Sequence, residues 1–160
     1  MDIKGDQMFK VILVDTTNTH TSAMAEGILK KKLPNDLKKM IVLRSVGVYA
    51  FQGDPCTIEV ESSGQEFDVD LKGHEATPLT REMLEEADCI VVMDQVNLKI
   101  MQDTVPSKEI VIFSDYQSDE TINEIPNPKN HNGAFYRKVW VLLDECADNF
   151  IEYLNQKLIK

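Results

Sequence analysis

Most of the side chains that could do chemistry in this chain fall in one run, Asp15-Thr16-Thr17-Asn18-Thr19-His20-Thr21-Ser22. The run joins an apolar stretch to a helical pattern. A carboxylate at the end of a strand can serve as a nucleophile. A loop that feeds a helix N-terminus gathers unpaired N–H groups and the positive end of the helix dipole, which suits an anion. Most strand–loop–helix joins bind nothing, so the elements around the run must carry the argument.

Four short apolar runs, 11–14, 40–43, 89–93 and 110–113, are rich in β-branched residues and nearly continuous. Such runs suit strands buried on both faces of a parallel sheet. Helical patterns separate them. Residues 22–33 place Met24, Ile28, Leu29 and Leu33 on one face and stop at Pro34-Asn35. Residues 55–67 read as a weaker helix because Ser62, Ser63 and Gly64 interrupt it. Thr80 caps a helix over 80–87, and residues 96–104 form another that ends before Pro106. The last helix, Gly133–Leu158, repeats Tyr136, Val139, Leu143, Cys146, Phe150 and Leu154 as an apolar stripe. Strand–helix alternation of this kind predicts right-handed crossovers and an α/β domain of three layers, α/β/α. Ligands of open sheets bind beyond the carboxyl ends of the strands, which points back to Asp15.

Size and composition narrow the classes. The chain has 160 residues and no linker or repeat, so residues 1–160 are expected to form a single domain. A domain of this length buries roughly 68–70% of its unfolded surface and needs no disulfide or structural metal. The net charge of -10 argues against non-specific binding to nucleic acid or anionic membrane. Lys30-Lys31-Lys32 with Lys38-Lys39 reads as a solvated helix end and turn. No apolar run reaches the ~18 residues of a membrane span, and residues 1–7 are polar, unlike a secretory signal. Cys56, Cys89 and Cys146 are widely spaced with no C-x-x-C pair. They predict a reducing cytoplasm, no zinc site and, for Cys89 and Cys146, core positions.

The run after the first strand, D-T-T-N-T-H-T-S-A-M-A-E, resembles the C-x-G-N-x-C-R-S-P-M-A-E loop of low-molecular-weight protein tyrosine phosphatases. Asn18, Ser22, Met24, Ala25 and Glu26 match it. Further similarities follow in order. Ser45-Val46-Gly47 is similar to the family's S-A-G, and Phe51-Gln52-Gly53-Asp54-Pro55 to its aromatic-x-G-x-P. Asp70-Leu71-Lys72-Gly73-His74-Glu75-Ala76 resembles D-L-S-x-H-x-A, residues 80–93 resemble its helix and third strand, and Ile125-Pro126-Asn127-Pro128 resembles I-P-D-P. The resemblance implies a four-stranded parallel sheet in the order 2-1-3-4, a phosphate loop over Asp15 to Ser22, and an aromatic pocket wall at Tyr49 and Phe51. It also implies a structural place for His74. His20 and His131 read as polar loop residues.

The same resemblance implies a cysteine nucleophile, an arginine that clamps phosphate and an aspartic general acid. The matching positions here hold Asp15, Thr21 and Asn127. Thr17 replaces a glycine, and a β-branched residue resists a left-handed backbone. Two like charges ~4 Å apart repel by several kcal/mol at an effective dielectric near 20, and Thr21 supplies no compensating cation. Asp15 is therefore expected to accept the loop's N–H groups itself, with a lowered pKa. The expectation is a catalytically silent protein that needs no cofactor or metal and binds an unknown protein or small-molecule ligand. The alternative is Asp15-based, Mg²⁺-dependent phosphomonoester hydrolysis. The D-x-T-x-T rhythm is similar to that of aspartyl-phosphate enzymes, with Asp94 and Asp115 as acidic candidates for the ion. Strand-end aspartates otherwise cap the next turn or helix.

Overall fold

A computed structural model describes residues 7–159. Residues 1–6, most of the stretch weighed as a signal, lie outside the described residues. The elements are β1 (Phe9–Asp15), α1 (Thr21–Lys32), α2 (Asn35–Lys38), β2 (Ile41–Gly47), α3 (Ile58–Glu66), α4 (Arg81–Glu86), β3 (Cys89–Val92), α5 (Gln95–Thr104), β4 (Ile110–Ile112) and α6 (Gly133–Leu158). All four strands are parallel in the order β2-β1-β3-β4, as expected.

Side-chain alternation along β1 builds both layers. Val11 and Leu13 join the core shared with α1 and α6, while Ile12 and Val14 join the core on the other face with Leu84 and Met101. Two covered faces explain why β1 and β3 read as unbroken apolar runs. β2 extends past its apolar run through Arg44 and Ser45, because an edge strand tolerates polar residues. The short α2 was not expected. Pro34 stands at its N-cap and Leu37 is buried beneath it.

α3 begins after Thr57, whose hydroxyl accepts the Val60 N–H, and leaves Pro55 in the preceding loop. Its weak sequence signal has a packing cause. Trp140 from α6 donates its indole N–H to Ser63 Oγ at 2.8 Å and stacks on Phe67. A side chain at Gly64 would start 3.2 Å from the Trp140 ring. Two of the small residues that weaken the helix, Ser63 and Gly64, are the ones that admit the indole. Thr80 caps α4 as expected, at 3.2 Å from the Met83 N–H. Lys30 pairs with Glu26, and Lys32 lies between Asp144 and Asp148, so the lysine run is divided between two faces. Cys56, Cys89 and Cys146 are free and buried. Among the described residues no helix is long and apolar enough to cross a membrane.

Trp140 is fully buried at the junction of α3 and α6. Trp140→Ala is expected to cost about 3–5 kcal/mol in urea unfolding followed by circular dichroism, the range for an emptied aromatic site.

Candidate functional site

β1 delivers Asp15 to the carboxyl edge of the sheet, and the chain then turns sharply into α1. The Asp15 carboxylate bends back into that turn. Oδ1 accepts the Asn18 N–H at 2.6 Å, and Oδ2 accepts the Ser22 N–H at 3.0 Å and the Thr21 hydroxyl at 3.2 Å. This is the self-occupied arrangement expected from the sequence. The expected sign of its pKa shift is reversed. Burial, with only 5% of the side chain exposed, pushes the Asp15 carboxyl up; the bonds from Ser22, Asn18 and Thr21 pull it down without overtaking.

Asn18 fixes the shape of the turn. Its φ of 58° is left-handed, a conformation asparagine tolerates better than most residues. The strained position is therefore Asn18, and Thr17 carries no left-handed backbone. The Asn18 amide nitrogen donates to Ser22 Oγ at 2.9 Å and Ser45 Oγ at 2.8 Å. Its Oδ1 accepts the Thr77 N–H at 2.9 Å, and its carbonyl accepts His74 Nε2–H at 2.6 Å. Gly47, at the end of β2, leaves room for this turn. A Cβ there would sit 2.8 Å from both Asn18 N and Thr16 O.

Outside the turn is a crevice of about 330 Å³. Asp15, Thr21 and Asn127 all line it, with Thr16, Thr17, Thr19 and His20 on the loop side. Asn18 and Ser22 are buried behind it. The Asn127 carbonyl Oδ1 accepts the Lys129 N–H at 3.0 Å, which closes the local turn. Asp94 reaches the crevice but caps α5 through the Asn97 N–H at 2.8 Å. Asp115 is exposed and stands apart from the crevice. Tyr49 donates its N–H to Thr16 O, yet its ring and that of Phe51 are 72% and 75% exposed and line no part of the crevice. Among the described residues no three His, Cys, Asp or Glu side chains come close enough to share a metal ion.

Further expectations need correction. The crevice does contain a cation, Lys129, two residues beyond Asn127. The Ile-Pro-Asn-Pro motif was the available signal, since a turn that brings Asn127 to the crevice carries its neighbours there too. His20 is not polar surface. It is 4% exposed, with Nδ1 3.0 Å from Thr19 Oγ1 and Nε2 buried without a partner among the described residues. Burial first, and Lys129 second, push the His20 pKa down, against a smaller lift from Glu59. Cys56 is also nearer than its sequence position suggests. Burial, then the charges of Glu61, Asp15 and Glu26, pushes its thiol up to about 12.

Gly47→Ala should force the Asn18 turn outward, costing about 1–3 kcal/mol and shifting the Asn18 and Ser22 amides in NMR spectra. A folded protein that resists protonating His20 is stabilised above the ordinary histidine pKa of 6.5 and loses that stability as pH falls through it. Comparing urea unfolding of the wild type and His20→Gln from pH 8 to 5 should show a smaller acid-side loss in the variant.

The model of the family described as low molecular weight phosphotyrosine protein phosphatase matches residues 10–160. The low molecular weight protein-tyrosine-phosphatase Ptp of Acinetobacter johnsonii is 25% identical over 150 residues, covering 92% of this chain and 99% of that protein. The probable phosphatase EpsP of Ralstonia nicotianae is 32% identical over 110 residues, 66% of this chain and 70% of its own. In fold, the protein tyrosine phosphatase of Entamoeba histolytica, with Hepes in its active site, superposes with a TM-score of 0.86 at 21% identity, covering 93% of this chain and 98% of that one. Matched across nearly its whole length, the chain belongs to the low molecular weight phosphotyrosine protein phosphatase family.

Proposed function

We propose that this chain is a catalytically silent member of its family, a binding or regulatory protein that has kept the scaffold and lost the reaction. The observation that supports this reading is the filled loop. Asp15 takes the N–H groups of Asn18 and Ser22 and the hydroxyl of Thr21, donors that an oxyanion seated after β1 would need. Ionised, Asp15 repels such an anion; protonated, it still occupies the space and the donors.

The reactive parts are also missing. Asp15 brings no sulfur, Thr21 no guanidinium, and Asn127 cannot release a proton as a carboxylic acid does. Lys129 offers a point charge without the planar fork that grips two oxygens together. Loss of one preorganised donor typically costs ~10²–10³ in rate, and losses in one catalytic unit combine non-additively. The nearby Cys56, with its thiol pushed up to about 12, supplies almost no thiolate at neutral pH. The Asp15-nucleophile reading is disfavoured because both carboxylate oxygens are engaged and Asp94 serves as a helix cap. The ligand is a protein or small molecule reached without a cofactor. Three free, buried cysteines fit a reducing compartment such as the cytoplasm.

Calorimetric titration with phosphate or vanadate should give no heat of binding for the wild type at millimolar anion. Asp15→Ala, which uncovers the amides, should bind. An oxyanion seated in the wild-type loop would overturn the proposal. Hydrolysis of p-nitrophenyl phosphate should stay at background with or without Mg²⁺; turnover abolished by Asp15→Asn would refute silence, and Mg²⁺-dependence would favour an aspartyl-phosphate route. Asp15→Cys, Thr21→Arg and Asn127→Asp together should restore more activity than any one alone.

A further inference from the structure

A second cleft, of about 540 Å³, lies behind the loop and is larger than the crevice. α1 and β2 form one wall, and residues 68–77 form the other. We propose that it binds a small zwitterion of the amino-acid or dipeptide class. The ligand's carboxylate faces Arg44, Lys30 and Lys31, and its ammonium faces Asp68, Asp70 and Glu75.

One wall carries Lys30, Lys31 and Arg44 beside Glu26, the other Asp68, Asp70 and Glu75, and among the described residues no ion pair joins the two. Lys30 is engaged by Glu26 on its own helix at 2.6 Å, and Lys31 donates to the Phe67 carbonyl at 2.5 Å. Among the described residues, Arg44, Asp68, Asp70 and Glu75 enter no ion pair. With no ion pair between them, a molecule bearing both charges can satisfy both walls. The cleft's volume falls within the roughly 300–1,000 Å³ of small-molecule pockets. Val69 and Leu71 supply an apolar floor for the ligand's carbon skeleton. α1 lies close on that floor, since a Cβ at Gly27 would sit 2.6 Å from Val69 Cγ1.

The cleft also touches the loop from behind. Ser45, His74 and Thr77 line it, and each bonds Asn18. An occupant that moves any of them moves the left-handed turn, whether or not the loop catalyses anything.

The test is an amide NMR titration of the full chain with L-lysine, L-glutamate, L-leucine and alanyl-alanine at millimolar concentration. N-acetylated and C-amidated forms of each serve as probes lacking one charge. At least one zwitterion should shift the amides of Arg44, Asp70 and His74 together, with Asn18 following. Removing either charge should weaken binding about fivefold, the size of one exposed charge contact. Arg44→Ala should weaken binding of the free acid and leave its amide unaffected, while Asp70→Ala should weaken binding of the free amine and leave its acetyl form unaffected. The same spectra report whether each variant is folded. No shift with any zwitterion, or capped probes that bind equally well, would refute the proposal.

Discussion

A buried carboxylate needs partners, and a turn into a helix N-terminus leaves N–H groups that need an acceptor. In this chain each need answers the other. Asp15 leaves β1 and closes on the amides of Asn18 and Ser22, so strand, turn and helix become one hydrogen-bonded unit. The remaining site geometry follows from that closure. Thr21 turns its hydroxyl to the same oxygen, and Thr16 and Thr17 are left exposed at the mouth.

The unit is anchored from outside by Asn18, through which the ends of β1 and β2 and the segment carrying His74 and Thr77 are joined. None of those contacts involves Asp15, Thr21 or Asn127. That outer anchoring therefore does not depend on those three side chains.

The strands and long helix were legible because burial on both faces, or on one stripe, leaves a direct mark on residue order. Leu13 and Trp140 illustrate the limit. The unbroken apolar run around Leu13 could be read locally, whereas the need of Trp140 for Ser63 and Gly64 spans the domain and appears in the sequence only as a poor helix. At the site, motif order pointed to Asp15, Thr21 and Asn127, and all three line one crevice. It could not indicate that His20 turns inward, because a histidine among threonines looks polar until the fold buries it. Nor could it give the sign of the Asp15 shift, which depends on depth of burial against bond number. Lys129 escaped notice because its relevance comes from the path of a loop.

The engaged Asp15 carries a consequence in linkage. A protein that binds phosphate gains stability as the anion concentration rises, by mass action. Here the acceptor is covalently tethered, so its local concentration is set by the length of a turn and does not follow cell chemistry. Loop formation becomes part of folding itself. A scaffold common to enzymes that meet phosphate in every turnover would then hold its closed shape at any metabolic state.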